Sequence, residues 1–224
     1  MDPALAAVPL FAALDDDASR ALGAMLRTRT VPRGHVVFRE GDPGDRLFVV
    51  LAGKVKITHA APDGRETLMS VLAPGEMFGE LSLFDPGPRT ATATAVTESR
   101  LASLDHEDLR PWLSGRPELA VHLLQALAQR LRRTNEAMSD LVFSDVPGRV
   151  AKALLDLAAK FAEPGPEGRR VTHDLTQEEL AQFVGASRET VNKALSEFVG
   201  RGWLRLEGRT VVILDEDRLE RRSR

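Results

Sequence analysis

Residues 175–199 read LTQEELAQFVGASRETVNKALSEFV. Thr176, with Glu179 three residues on, has the pattern of a capping box, in which a hydroxyl and a carboxylate satisfy each other's backbone donors at a helix start. Leu180, Ala181 and Val184 are spaced to share one inward face of the helix that follows. Gly185 supplies a tight turn, Ser187 can cap a second helix, and Val191, Leu195 and Phe198 give that helix its buried stripe. Two short helices joined through a glycine turn read as a helix-turn-helix. The second helix opens Ser187-Arg188-Glu189-Thr190, with Asn192 and Lys193 next, and the early residues of such a helix enter the major groove of DNA. Arg188 can donate twice to guanine and Glu189 can accept from cytosine, while Ser187 and Thr190 can reach phosphate. Thr176, Gln177 and Glu178 at the start of the first helix complete the DNA-facing set. A purely structural αα-hairpin would leave the same charges solvated. Against that reading stand Trp203–Leu206, the Glu207-Gly208 turn and Val211–Leu214, a strand, turn and strand that form a wing beside the helices.

Moving towards the N-terminus, Val150–Ala162 is amphipathic and Glu163–Gly168 (EPGPEG) reads as a loop. Ser144-Asp145-Val146-Pro147 is a junction: Ser or Asp can cap a helix, and Pro suits an early helical position. Before it, no Gly or Pro interrupts the chain from Glu118 to Val146, so one long helix is expected from Pro117. Ala120, Leu123, Leu127, Arg130, Thr134, Ala137 and Leu141 step alternately by three and four. That is a heptad seam, and it implies a partner helix; a helix lying on its own domain is the plainer alternative. Arg130 and Thr134 interrupt the seam, and polar groups there set register or contact something polar.

The first 110 residues carry short β-branched runs at Val36–Phe38, Leu47–Leu51, Lys54–Thr58, Thr67–Val71 and Thr92–Val96, after a helical stretch near Asp15–Leu26. Glycine-marked turns between short strands read as an all-β roll or jelly roll. Within it, residues 75–91 read GEMFGELSLFDPGPRTA. Gly79 lets a ligand approach the backbone closely. Glu80 offers acceptors suited to a ribose hydroxyl, Arg89 a fork for a phosphate, and Thr90 a hydroxyl beside it. The backbone amides of Thr90 and Ala91 can complete an anion cradle. An ion pair between Glu80 and Arg89 would use the same residues with no ligand at all.

Composition sets bounds on function. With 224 residues the chain is long enough for two domains. Its net charge is −3, and its last eighty residues carry 14 basic and 14 acidic side chains. Any DNA contact must therefore be argued from local residues and not from bulk charge. No cysteine is present, which excludes disulfides and thiolate-held clusters or haem. The start of the chain lacks a basic segment ahead of an apolar one, and no apolar run approaches the ~20 residues of a membrane helix. A cytoplasmic protein without a membrane segment is expected. No paired His with a carboxylate at metal spacing and no nucleophile–base pair is visible, so neither an enzyme nor a metal site is expected.

Taken together, GELSLFDPGPRTA resembles the phosphate-binding cassette of cyclic-AMP receptor proteins, and GASRETVNKAL resembles their recognition helix. In order and spacing the chain is similar to the CRP/FNR family, most closely its actinobacterial branch, from about residue 8 to the C-terminus. The resemblance implies an α+β fold of three parts. These are a cyclic-nucleotide-binding β-roll over residues 1–116, a dimerisation helix over 117–143 and a winged helix-turn-helix over 144–224. It implies a cyclic-AMP-responsive homodimer that binds a palindromic, TGTGA-like operator on double-stranded DNA and works with RNA polymerase. Glu80 and Arg89 would hold the ribose 2′-hydroxyl and the cyclic phosphate, with Gly79, Leu81, Ser82, Thr90 and Ala91 around them. Thr134 and, from the second copy, Asn135 would hold adenine, with Ser70 and Arg130 nearby. The cassette loop is about one residue shorter than in enterobacterial members, Asn135 replaces a Ser, and Lys193 replaces an Arg. Oxygen-sensing members need cysteines, which are absent, and His35, His59 and His106 lack the spacing of haem ligands. The alternative function is an architectural DNA-binding protein that barely needs a ligand.

Overall fold

The structure, a computed structural model, describes residues 2–8, 14–61, 64–115 and 117–223. It divides into two compact units, one of residues 1–64 and 70–133, the other of residues 65–69 and 134–224.

The first unit opens with helices α1 (Pro3–Ala6) and α2 (Asp16–Met25), each started by an aspartate side chain that accepts from a backbone amide. Strands β1 (Arg27–Val31), β2 (Val36–Phe38), β3 (Arg46–Ala52), β4 (Val55–Ala60), β5 (Glu66–Leu72, of which residues 66–69 are counted with the second unit) and β6 (Met77–Phe78) follow. After the one-turn helix α3 (Leu81–Phe84) come β7 (Thr92–Ala95), β8 (Ser99–Asp105) and helix α4 (His106–Ser114). The strands form two sheets, in the orders β1-β8-β3-β6 and β2-β7-β4-β5. This is the β-roll expected from the sequence.

Strand β3 shows why the roll holds. Its run Leu47-Phe48-Val49-Val50-Leu51 is buried throughout. Leu47, Val49 and Leu51 pack on one face with Leu5, Val8, Ala18, Leu22, Leu109 and Trp112 from the helical segments. Phe48 and Val50 turn to the other face, among Val55, Ile57, Phe78, Ala93 and Ala95. A strand covered on both faces reads as a continuous apolar run and not as an alternation. On the inner face Phe38, Phe48 and Phe78 form a triangle with ring centroids 5.2–5.8 Å apart.

Three strands escape the pattern of apolar runs. β1 (RTRTV) is an edge strand exposed along most of its length. β6 has two residues. β8 (SRLASLD) is mostly buried, but Ser99, Ala102 and Ser103 separate Leu101 from Leu104, so it shows no run of large apolar side chains.

Helix α5 (Pro117–Phe143) is continuous over 27 residues, and the division of the units falls on it between Arg133 and Thr134. Of the expected seam, Thr134, Ala137 and Leu141 are exposed. Leu127 is half-buried and Arg130 donates to Glu80 of the same chain, while the side chains of Ala120 and Leu123 lie outside the described residues. Beside it a second row, Val121, Leu124, Leu131, Met138 and Val142, is more than half exposed at each position, as Leu141 is, with Ala128 and Asn135 exposed between them. These positions also step by three and four, one residue on from the expected set, a rotation of about 100° around the helix. The reason lies in the sequence. Leu123-Leu124, Leu127-Ala128 and Leu141-Val142 place two apolar rows side by side, and periodicity alone does not say which row faces the home domain.

In the second unit α6 (Val146–Phe161) leads through β9 (Ala162–Gly165) and β10 (Gly168–Thr172) to α7 (Gln177–Val184) and α8 (Arg188–Gly200). Strands β11 (Leu204–Glu207) and β12 (Thr210–Ile213) and helix α9 (Glu216–Arg222) complete it. The sheet order is β11-β12-β10-β9. The expected wing is β11 and β12. The stretch Glu163–Gly168, expected as a loop, is instead the heart of a second hairpin. β10 pairs with β12, and Pro164 and Gly165 fall on the edge strand β9, where a missing ladder donor costs little. No helix among the described residues is long and apolar enough to cross a membrane.

Candidate functional site

The run 79–91 folds into a cradle around Arg89. Gly79 has φ +78°, and a Cβ there would lie 2.8 Å from Arg89 Nη1 and 3.2 Å from the Arg46 carbonyl oxygen. Only glycine leaves the guanidinium its place. Arg89 Nη1 donates to the Gly79 carbonyl at 2.9 Å and to Ser82 Oγ at 3.2 Å, and Nη2 donates to the Arg46 carbonyl at 2.7 Å. Its guanidinium carbon lies 4.3 Å from the centroid of Phe38, so the ring carries one face of the cation. The Arg89 amide donates to the Asp42 carbonyl at 2.8 Å, and the Arg89 carbonyl accepts from Gly41 at 2.8 Å. A Cβ on Gly44 would fall 2.3 Å from that of Ser82, so the loop before β3 and helix α3 meet at van der Waals limits.

The charges are arranged unusually. Glu80 does not pair with Arg89. Its Oε1 accepts from Arg130 of α5 at 2.7 Å, and Arg130 therefore joins the cradle from fifty positions further along the chain. The nearest carboxylate to Arg89 is Asp45, at 3.6 Å. Burial lowers the Arg89 pKa, with the charge of Asp45 opposing. Burial pushes the Asp45 carboxyl up, but the hydrogen bond and charge of Arg46, with Arg89 behind them, outweigh it and hold the carboxyl below its ordinary value. Glu80 and Arg89 are almost wholly buried, yet Glu80 Oε2 and Arg89 Nε have no hydrogen-bond partner among the described residues. A buried charged group with unmet bonding capacity is costly. Beside them His106 is also buried. Burial, and then the charge of Arg89, push its imidazole below the ordinary histidine value.

The structure thus brings together Gly79, Glu80, Ser82, Arg89 and Arg130. Leu81 and Thr90 are exposed beside them and Ala91 is half-buried. Ser70 is half-buried on β5. Thr134 and Asn135 are exposed on α5, in the second unit. Phe38, Gly44, Asp45 and the Arg46 carbonyl complete the cradle and are not apparent from the sequence. Asp42-Pro43-Gly44-Asp45 carries a turn signature, but nothing in it says that the turn meets Arg89.

The helix-turn-helix forms as its motif requires. Thr176 and Glu179 make the reciprocal capping box, with bonds of 2.7 and 3.1 Å. Gly185 has φ +72° and takes the left-handed conformation that ends α7. Ser187 caps α8 by accepting from Thr190 at 3.2 Å. Leu180, Ala181, Val184, Val191, Ala194, Leu195 and Phe198 are buried. Thr176, Gln177, Glu178, Ser187, Arg188, Glu189, Thr190 and Lys193 are exposed and Asn192 is half-buried. Gln177 Oε1 accepts from Asn192 at 3.1 Å and from Arg188 at 3.4 Å, joining the starts of the two helices.

Residues 28–115 match the family model of the cyclic nucleotide-binding domain, and residues 148–222 that of the Crp-like helix-turn-helix domain. Over 224 residues and 100% of both chains, the protein is 57% identical to the CRP-like cAMP-activated global transcriptional regulator of Mycobacterium tuberculosis (strain ATCC 25618 / H37Rv). It is 34% identical over 212 residues, 95% of each chain, to the cyclic AMP receptor protein of Thermus thermophilus. Among solved structures, the c-di-GMP responsive global regulator CLP of Xanthomonas campestris matches 89% of this chain and 99% of its own, with 31% identity and a TM-score of 0.77. These relatives are named as regulators, in line with the expectation that the chain is not an enzyme. With a relative matched over its whole length and both domain types in the same order, the chain belongs to the CRP family of transcription regulators.

Proposed function

We propose that the protein is a cyclic-AMP-responsive homodimer that binds a two-fold-related DNA operator in the cytoplasm and acts there with RNA polymerase. The observation that carries the reading is that two charged side chains of the cradle, Glu80 through Oε2 and Arg89 through Nε, are among the buried groups with an unmet polar atom. One is an acceptor and the other a cationic donor. A ribose hydroxyl and a cyclic phosphate bring the complementary groups. In this reading Glu80, held by Arg130, accepts from the 2′-hydroxyl. Arg89, Ser82 and the amides of Thr90 and Ala91 hold the phosphate, with Gly79 and Leu81 shaping the wall. Ser70 and Thr134, with Asn135 of the second copy, approach the base. No bond of the nucleotide is broken, and the groups only bind and orient it.

The exposed row Val121, Leu124, Ala128, Leu131, Asn135, Met138 and Val142 supports the second copy, because heptad-spaced apolar residues are covered by another helix. Asn135 is the polar member of that row, where a single Asn sets register. Domain limits of 1–116, 117–143 and 144–224 follow the same division of labour. On DNA, Arg188, Glu189, Asn192 and Lys193 meet base edges, while Thr176, Gln177, Glu178, Ser187 and Thr190 meet the backbone and position the helix.

The test is calorimetric titration with cyclic AMP, cyclic GMP and c-di-GMP, followed by operator binding with and without each. The expected result is binding of cyclic AMP in preference to the others, with raised operator affinity. Operator affinity indifferent to every nucleotide would support the architectural alternative. Arg89→Leu should lose nucleotide affinity by on the order of 2–4 kcal/mol, since a charge-assisted contact is removed and the phosphate left under-compensated.

A further inference from the structure

Arg149 lies in the first turn of α6 and ties three carbonyl groups together. Its Nη1 donates to Ser144 at 2.8 Å, its Nε to Val184 at 3.1 Å and its Nη2 to Gly185 at 3.2 Å. These oxygens belong to two helix ends. The Ser144 amide still donates to Asp140 at 2.9 Å, so Ser144 closes the last turn of α5. Val184 and Gly185 end α7, at the turn that delivers Ser187 and the reading end of α8. A helix C-terminus carries carbonyls without intrahelical partners and a partial negative charge. One planar cation with donors spread over three nitrogens in a fixed fork spans both ends at once, a reach that the single nitrogen of a lysine lacks.

Two further contacts fasten the same junction. A Cβ on Gly185 would lie 2.9 Å from Leu141 Cδ2 of α5, so the last turns of α5 pack directly on the turn of the helix-turn-helix. Lys152 of α6 pairs with Asp140 of α5. The residues of α5 from Thr134 onward cluster with the winged helix and not with the β-roll.

We propose that Arg149 is the positioning residue that makes the recognition helix follow the end of α5, so that a nucleotide-driven change in α5 reaches the DNA-reading surface through its three carbonyl bonds. The proposal rests on the reading of the protein as a nucleotide-responsive DNA binder. Without Arg149 the turn at Gly185 keeps its packing on Leu141 but loses its hydrogen-bonded link to Ser144, and α8 follows the end of α5 less closely. Couplings between sites are usually 5–150-fold. Loss of this clamp should bring the ratio of operator affinities with and without cyclic AMP to within about twofold of unity.

The experiment uses the full-length protein as wild type, Arg149→Met and Arg149→Lys. Operator affinity is measured with and without cyclic AMP, cyclic AMP affinity with and without operator, and thermal unfolding alongside. For Arg149→Met the nucleotide effect on operator binding should collapse. Because coupling is reciprocal, the operator effect on nucleotide binding should collapse by the same factor. Arg149→Lys, whose three donors all sit on one nitrogen, should fall between. If Arg149→Met loses operator affinity equally with and without cyclic AMP, the residue only stabilises the fold and the proposal is overturned. Should Arg149→Met not fold, an Arg149→Lys protein with the full wild-type ratio overturns it as well. A wild-type protein with no nucleotide response overturns the functional reading, and this proposal with it. A wild-type response unchanged in both variants overturns the proposal alone.

Discussion

Arg89 sits in its cradle on borrowed geometry, held by carbonyls of Gly79 and Arg46, the hydroxyl of Ser82 and the ring of Phe38. The position most sensitive to this is Gly79. In Gly79→Ala the new methyl would press on Nη1 from a backbone conformation that L residues rarely adopt. Strain of this kind is of order 1–3 kcal/mol. The expected outcome is a folded protein by circular dichroism with a lowered melting temperature and at least tenfold weaker nucleotide binding by calorimetry. His106 gives a pH signature. Its folded pKa is lowered from 6.5, by burial first and by Arg89 second. Below pH 6.5 the unfolded chain therefore takes up a proton that the folded chain refuses. The stability associated with neutral His106 is fully present above that pH and is lost as pH falls towards the folded pKa. Urea unfolding between about pH 7.5 and 5.5 should show a stability decline in the wild type that is shallower in His106→Gln. Equal slopes would place the decline elsewhere.

Helix α6 begins at Asp145, whose Oδ1 accepts from Gly148 at 2.9 Å and whose Oδ2 accepts from Arg222 of α9 at 2.6 Å. The Arg222 bond, then the Gly148 amide, hold this carboxyl below its ordinary value of 3.8. The stabilisation is present above pH 3.8 and disappears as pH falls through the lower folded value. Asp145→Ala should destabilise the winged-helix unit by ~1 kcal/mol at neutral pH, the usual worth of such a cap. The gap from the wild type should close on acidification, and denaturant melts at several pH values check both statements. Elements of this kind differ in how far they can be read from sequence. The capping box, Gly185 and the stripe of α8 are local, and each residue of α7 and α8 carries its own reason. The cassette is also contiguous, so Gly79, Glu80 and Arg89 are legible together. What is hidden depends on distant pairing. β9 and β10 look like a loop because Pro164, Gly165 and Gly168 speak for turns, and only β12 makes them strands. β8 hides behind serines and alanines. Arg130 is visible as a polar break in a heptad, but its partner Glu80 is fifty positions away.

At the scale of the whole molecule the exposed row on α5 predicts assembly. Leu131→Glu would place a charge on the exposed row of each copy, and sedimentation should show the variant as a monomer where the wild type is a dimer. A monomeric wild type, or a dimeric variant, would move the interface elsewhere. The dimer should span two half-sites about one helical turn apart, ~34 Å, and lose affinity when that spacing is changed by half a turn. Within each half-site, Arg188→Ala should relax discrimination at one G·C pair by roughly 1–3 kcal/mol, whereas equal losses on specific and random DNA would make it a backbone contact. The bracket that Gln177 forms with Asn192 and Arg188 bears on how such a site is found. On a mismatched stretch the side chains can stay bonded to one another, so the protein can travel along phosphates without first paying to expose unmatched donors. If those bonds are exchanged for bonds to DNA at the correct base pairs, scanning and stopping become separate states of one small cluster, and Gln177→Ala should change the dwell time on non-operator DNA.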